Sequence, residues 1–523
     1  MIKILADRLE QLDKNGADQF LQRALHGIEK EGLRVDASGS IAATPHPARL
    51  GSSLTNRYIT TDFSEPLLEF VTPVFTDSAA ALHFLQAIHR YVYTHLDDEL
   101  IWAASMPCRI DDAEQIPIAE FGTSNIGRMK HIYRVGLAQR YGKMMQSIAG
   151  IHYNFSLPDE FWTAYRGLLE KPDSMASFRS AAYFTMIRNF RRHSWLLLYL
   201  FGASPALSRS FLGDNAKKLE PLHGETLHLP WATSLRMSDL GYSNAAQSSI
   251  NVCFNELRTY TETLVEAINT SHPEYEKIGT IVDGEYRQLS TTILQIENEY
   301  YSDIRPKRVP RSGESALQAL KRCGVEYVEI RNTDVNPLLA YGIELEQAHF
   351  LDTFLIACLL MGDDFVTPEE CRVIEDNQKK ITKRGREPGL KVTFRGREIG
   401  LRKAGGDLLS QVELVAQMLD RVHDTDSYRK SVLLQREKLE DQGLTPSAQI
   451  LQSLKSSQLD HTEWVLEISK QHKHTIEKTP QDPVIFTQLA EEAHASIARQ
   501  AEIEAADTED FAAFLSTYRT RDS

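Results

Sequence analysis

The sequence predicts a mixed α+β fold with a helical C-terminal part. Short β-rich runs, GIEKEGLRV (27–35), LLEFVTPV (67–74), GIHYNFSL (150–157) and VEYVEIRN (325–332), combine branched or aromatic residues with partial alternation and nearby turn residues. Helical periodicity lies between them. From about residue 405 the texture turns helical: Leu408, Leu409, Val412, Val415, Leu419 and Val422 follow 3–4 spacing, and Glu/Lys/Gln-rich segments run at 433–470 and 485–505. The expected organisation is an α+β core over residues 1–404, with a mainly helical part, 405–523, packed on it. At roughly 150 residues per domain, a chain of 523 residues allows about three domains or one large enzyme core.

Composition narrows the class. Hydrophobic residues make up 42% and charged residues 25%, which fits a soluble globular chain and excludes a disordered one. The formal charge is −14, against broad nucleic-acid or anionic-membrane binding but not against a local basic pocket. Five cysteines without a CxxC pair suit a reducing compartment. The start, MIKILADRLEQLDKNG, lacks a signal-peptide core, and the most apolar run, WLLLYLFGA (195–203), is far shorter than the ~20 residues of a spanning helix. A cytoplasmic protein with that run in a buried helix is expected. The lack of an obvious exposed apolar stripe favours a monomer.

In the first strand, Glu29 and Glu31 leave the same face, where like charges repel unless a cation or solvent intervenes; a solvated strand face accounts for them equally well. Glu69 sits inside Leu67-Leu68-Glu69-Phe70-Val71, where burying an ionised carboxylate demands a partner or a metal; the plain alternative is an outward-facing edge residue. The next segment, SAAALHFLQAIHRYVYTHL (78–96), reads as a helix with Ser78 as N-cap. In IHYNFSLP, alternation puts His152, Asn154 and Ser156 on one face and Tyr153, Phe155 and Leu157 on the other, which suits a wet cavity or an ordinary surface strand. In GVEYVEIRNTDVNP, Tyr327, Glu329 and Arg331 share a face. Glu329 and Arg331 could be a simple surface pair, or could bind a metal and a phosphate side by side, the latter through the bidentate fork of arginine. Irregular stretches at 36–60, 105–128 and 203–245 are long enough to be functional. The basic stretch 379–403 reads as a surface hairpin or linker. The cysteines lack a base motif; Cys253, Cys323 and Cys358 read as core residues.

Several carboxylates with a histidine and arginine on strand faces favour Mg²⁺ or Mn²⁺ and phosphoryl transfer. There is no GxxxxGK[ST], HExxH or GxSxG motif, no GxGxxG after a strand, and no zinc-spaced Cys/His set. From the residues alone, the chain is a metal-dependent enzyme for an anionic, phosphorylated substrate; an acidic scaffold without catalysis is the other reading.

The same residues carry a resemblance. GIEKEGLRV, ITTDFSEPLLEFVTPV, SNIGRMKHIYRVGL, GIHYNFSLP, YLFGASPA, ATSLRMSDLGY, IENEYYSDIRPKRV, SGES, VEYVEIRNTDVNP and a closing EAADTEDF (504–511) resemble the glutamate–cysteine ligases, or γ-glutamylcysteine synthetases, of the proteobacterial type. The match runs nearly end to end and thins between about 365 and 500. It implies the first step of glutathione synthesis: ATP phosphorylates the γ-carboxylate of glutamate, and the amine of cysteine displaces phosphate. It implies a glutamine synthetase-like fold, with a curved, largely antiparallel sheet forming a funnel surrounded by helices, and glutathione as feedback inhibitor. By the resemblance, Glu29, Glu31, Glu69, His152 and Glu329 would hold Mg²⁺ (or Mn²⁺), and Arg331 and Arg134 would face the transferring phosphoryl group. Arg236 would hold the glutamate α-carboxylate, Tyr133, Tyr242 and Tyr301 would form the cysteine pocket, and Lys307 and Arg308 would contact ATP. Asp303 departs from the family's pattern and would add a charge beside the pocket tyrosine. A related carboxylate–amine ligase with another acceptor is the near alternative; the tyrosines favour cysteine.

Overall fold

The computed structural model describes residues 2–212, 219–241, 247, 250, 252–311 and 314–520. One sheet organises the chain. Its strands are β1 (Leu25–Val35), β2 (Ile59–Thr61), β3 (Leu67–Val71), β4 (Leu100–Ile101), β5 (Gly150–Ser156), β6 (Ile304–Lys307) and β7 (Tyr327–Asp334). They run in the order β6-β7-β5-β1-β3-β2, with β4 on β1, and every pairing is antiparallel. The sheet is open, with β6 and β2 as its edges. Pro306 is tolerated in β6 because an edge strand has one side without a ladder to donate into.

The register turns separate sequence motifs into one surface. Glu31 lies opposite Glu69, Glu29 opposite His152, Asn154 opposite Glu329, and Glu329 opposite Arg305. Because side chains alternate along a strand, all of these share one face. The intervening residues, Ile28, Phe70, Ile151, Tyr153, Phe155, Val328, Ile330 and Ile304, are buried on the other.

Helices cover that apolar face. They include α1 (Ser78–Tyr93), α3 (Met175–Phe201) and α4 (Leu345–Leu360); α2 (Asn125–Tyr141) lies elsewhere and is taken up below. α1 packs on β1, α3 on β6 and β7, and α4 on α1 and α3. α3, which contains the WLLLYLF run, and α4 are buried on nearly every side, which is why both lack a clean polar stripe. The cap of α1 is Asp77, one residue before the expected Ser78: its carboxylate accepts from the Ala79 amide, and Ser78 is buried in the first turn. α5 (Pro368–Arg384) takes up the first part of the basic stretch, leaving a hairpin of Lys391–Phe394 with Arg397–Gly400.

The later chain is helical: α6 (Leu401–His423), α7 (Ser427–Glu440), α8 (Pro446–Ser457), α9 (His461–Lys478), α10 (Pro483–Ala506) and α11 (Phe511–Thr520). Leu408, Leu409, Val412, Val415 and Leu419 of α6 enter the core that also contains the sheet's apolar face. No helix among the described residues is long and apolar enough to cross a membrane.

Candidate active site

The polar face of the sheet gathers the acids. Ligand atoms of Glu29, His152 and Glu329 lie within 4.8 Å of one another, as do those of Glu31, Glu69 and His152. His152 is shared between the two groups, with Nδ1 at 3.1 Å from Glu29 and Nε2 at 3.7 Å from Glu31. Asn154 donates to the second Glu29 oxygen at 2.8 Å. One arm of the cluster is compensated by cations: Lys307 Nζ is 3.3 Å, and Arg331 3.1 Å, from Glu329. Burial raises the cost of ionising Glu329, yet Lys307, Arg331 and His152 hold it well below the ordinary carboxylate range. Burial and the neighbouring Glu329 charge oppose ionisation of Glu29 as well, but the hydrogen bond and charge of His152 together with Lys307 leave it lowered.

In the other arm Arg331 acts on Glu69 and Glu31, and His152 and Arg236 on Glu31, without offsetting burial and repulsion. Burial, then Glu29, Asp62 and Glu31, push Glu69 well above the ordinary range, and burial raises Glu31. A strand of alternating residues thus delivers acids that repel one another at one end of the cluster, where a hard cation would relieve both burial and repulsion. The donors are carboxylates and one imidazole, a set that fits Mg²⁺ or Mn²⁺.

Arg331 owes its position to an irregular register. Between the pairs Ile330–Tyr153 and Thr333–Ile151, β7 carries one extra residue, so Arg331 and Asn332 together oppose His152. The Arg331 amide donates to the Asp303 carbonyl at 2.9 Å, and its own carbonyl accepts from Arg236 at 3.0 Å. Its Nε is buried without a hydrogen-bond partner among the described residues. Burial opposes its charge, but Glu329, Glu31 and Glu29 more than restore it. Arg236 lies behind it, 1% exposed and 3.5 Å from Asp334. Gly150 makes this closeness possible, since a Cβ there would stand 2.1 Å from the Arg236 guanidinium.

A cavity of about 980 Å³ opens on this face, lined by Glu31, Arg331, Arg305, Tyr133, Arg134 and Tyr301 among others. Tyr133 and Arg134 project from α2. Arg134 stacks 4.5 Å from the Phe121 ring and donates to the Asp62 carbonyl. The Tyr301 hydroxyl contacts Met237 Sδ at 3.0 Å, and Gln247 accepts from its amide at 3.0 Å. Tyr242 lies outside the described residues. Arg308 is not brought in: it donates to the Gly324 carbonyl and sits 3.6 Å from Glu326, away from the acids.

Asp303 turns out to be neutralised. Its carboxylate is 3.4 Å from Arg191 and accepts from Ser194 and Gln378 at 3.1 and 2.8 Å, tying α3 and α5 to β6 rather than presenting a bare charge to the pocket. Cys253, expected in the core, is half-buried in the cavity wall with Cys371. Four residues of the cavity wall escaped sequence reading. Arg305 is two residues before Lys307 and lines the cavity, but Pro306 hid the strand. Asp62 and Phe63, in a loop, had no periodicity to reveal them. Glu299 accepts from buried Arg140 at 3.0 Å and from the Tyr141 hydroxyl at 2.5 Å, joining α2 to the turn that carries Tyr301.

A single Cys→Ala replacement at any of the five positions is expected to leave turnover intact in folded protein. Cys108 and Cys358 are buried with their thiols pushed up by burial, and the Cys371 thiol is raised as well, which keeps thiolate scarce. Steady-state assays of the five variants check this; abolished turnover in a folded one would contradict it.

Known proteins match on both sequence and structure. The glutamate–cysteine ligase family model matches residues 9–381. The glutamate–cysteine ligase of Azotobacter vinelandii is 48% identical over 522 residues, covering 99% of this chain and 98% of its own. That of Pseudomonas putida strain W619 is 48% identical over 520 residues, with the same coverage. The crystal structure of the Francisella tularensis glutamate–cysteine ligase in complex with AMP superposes with a TM-score of 0.89 at 34% identity, over 95% of this chain and 98% of that one. A bifunctional glutathione synthetase from Pasteurella multocida matches with a TM-score of 0.72 at 26% identity, over 90% of this chain and 55% of its own. The chain belongs to the glutamate–cysteine ligases, enzymes that use ATP to join the γ-carboxylate of glutamate to the amine of cysteine.

Proposed function

We propose that the acid-lined sheet face is where the phosphoryl group moves, and that the adjoining aromatic wall receives cysteine. The observation that carries this reading is the juxtaposition, in one cavity, of Glu31 and Asp62 beside Glu69, the guanidinium of Arg331, and the tyrosines Tyr133 and Tyr301. Divalent cations held by Glu29, Glu31, Glu69, His152 and Glu329 would supply positive charge against phosphate oxygens. Arg331 grips the phosphoryl group while a glutamate γ-carboxylate oxygen bonds to the γ-phosphorus of ATP and ADP leaves. Arg134, hooked to the Asp62 loop, supports it from the opposite wall, and Arg236 holds the α-carboxylate. Lys307 at the edge strand serves the nucleotide. Arg308, turned toward Gly324 and Glu326, is the weaker nucleotide contact. The cysteine nitrogen then bonds to the acyl carbon, phosphate departs with the C–O bond electrons, and the amine proton passes to a phosphate oxygen or a nearby carboxylate. Glutathione shares the γ-glutamylcysteine moiety, so it would compete for the same groups as a feedback inhibitor in the cytoplasm.

The thiol identifies the substrate without reacting. L-2-Aminobutyrate, with a methyl in place of SH, is therefore expected to support phosphate release from glutamate and ATP at saturation, its deficit appearing as a higher KM. The Met237–Tyr301 contact supplies a soft wall for either group, with some preference for sulfur. Tyr301→Phe should narrow the difference in KM between the two amines more than it lowers the maximal rate. Phosphate release with each amine in turn is the measurement. Turnover with cysteine but none with aminobutyrate at any concentration would mean the thiol takes part in the chemistry.

A further inference from the structure

The helix that carries Tyr133 and Arg134 is weakly integrated. Of its 17 residues, only Asn125, Gly127, Met129, Ile132 and Gly136 are buried. Its buried apolar side chains, Met129 and Ile132, belong to a small cluster with Leu289, Phe511 and Leu515, separate from the main core, and Tyr133 packs against that cluster. Two of the five members come from α11, at the end of the chain.

The segment just before α11 grips the start of α2. The Asn125 amide donates to the Asp507 carboxylate, and the Asn125 side chain donates to the Glu509 carbonyl at 3.0 Å. Glu504 accepts from the Thr123 amide at 2.8 Å. Asp507 thus satisfies an amide that the first turn cannot pair internally, and it places a negative charge at the positive end of the helix dipole. Gly122, at φ +79°, lets α10 come this close; a Cβ there would stand 2.0 Å from Gln500 and 2.2 Å from Glu504. One turn into the helix, the Arg128 guanidinium lies 4.6 Å from the Phe511 ring, whose edge meets Tyr286 at 5.1 Å.

We infer that residues 504–515 form a latch that positions α2, and that Asp507 and Phe511 are positioning residues for the cysteine half-reaction although neither lines the cavity. The inference rests on the reading that Tyr133 and Arg134 serve the substrates. A helix whose buried apolar side chains lie in a minor cluster, with Leu137 and Ala138 near its other end packed against the main core, shifts in its N-terminal half when that cluster is depleted, while the main core stays folded. Displacing reacting groups by about 1 Å costs on the order of 10²-fold in rate, so a partial loosening should be plainly visible.

The test uses the full-length chain with Asp507→Ala or Phe511→Ala, and Asp507→Asn and Phe511→Leu as conservative partners. Expected are a loss of about tenfold or more in kcat/KM for cysteine, in line with a sub-ångström displacement, an unchanged KM for ATP, recovery in the conservative variants, and faster amide exchange over residues 125–134. Normal cysteine kinetics in both alanine variants would overturn the inference. So would faster amide exchange in the strands of the main sheet alongside the kinetic loss, which marks a general loss of structure. Tyr133→Phe and Arg134→Lys separate the two readings. If these are impaired and the latch variants are not, only the latch fails; if these are themselves normal, the site reading on α2 fails.

Discussion

Glu69→Gln is expected to cut kcat by about 10²-fold or more at saturating Mg²⁺, the scale of loss on removing one group from a preorganised electrostatic site, and to raise the Tm of the metal-free protein. Both effects come from the same fact. In β3, Glu69 is held opposite Glu31 by the strand register, with Glu29 and Asp62 close enough to oppose its ionisation. An amide offers a neutral oxygen where a divalent cation calls for an anionic one, so the catalytic loss follows. Without metal, the native state must either ionise a buried, repelled carboxylate or hold its proton. Its folded pKa lies above the ordinary 4.5, so the folded state keeps a proton that the unfolded state releases. The resulting penalty is absent at low pH and grows as pH rises from about 4.5. The Tm advantage of the glutamine variant in EDTA should therefore widen over that range, and the upward shift in Tm on adding Mg²⁺ should shrink. Melting curves with EDTA and with Mg²⁺, from pH 5 to 8, measure both. Near-normal turnover in this variant would show that Glu69 holds no cation.

How far the sequence reveals this site depends on how the chain delivers each residue. Glu29, Glu31, His152, Glu329 and Arg331 lie on strands whose alternation is visible in the sequence, and the structure places their side chains on one face. What alternation cannot supply is which strands are neighbours. That Glu31 faces Glu69, and that Glu329 lies across Asn154 from Glu29, is a matter of register, which long-range pairing decides. The extra residue at Arg331–Asn332 leaves no local trace either, yet it decides what stands opposite His152. Arg305 was hidden by Pro306, a residue that argues against a strand except at an edge. Asp62, Phe63 and Glu299 come from loops and turns with no period to read. Cys253 and Asp303 show a further limit: an apolar neighbourhood did not bury the first, and a nearby pocket did not expose the second, because α3 and α5 supply Arg191, Ser194 and Gln378 to Asp303.

The extra residue at Arg331 also underlies the other large expected effect. Arg331→Lys should lower kcat by about 10²-fold while leaving the KM for glutamate within a small factor, although charge is conserved. The backbone of Arg331 is fixed at both ends, by its amide on the Asp303 carbonyl and by its carbonyl on Arg236. One terminal nitrogen is 3.1 Å from Glu329 and 3.5 Å from His152 Nδ1. The guanidinium therefore bridges the compensated acids and the cavity, with Nε buried and without a partner among the described residues. A planar fork so held can present two parallel donors to phosphoryl oxygens; an ammonium offers a point charge on a flexible stem, and the pull of Glu329 would draw it toward that carboxylate. The lost interaction is one that strengthens as charge moves onto the phosphoryl oxygens, so the loss belongs in kcat rather than in substrate binding. Initial rates over a matrix of glutamate and ATP concentrations decide the matter. A variant altered only in its KM for glutamate would place Arg331 in ground-state recognition of the amino acid. The phosphoryl contact would then fall to Arg134 across the cavity, and Arg134→Lys should carry the kcat loss instead.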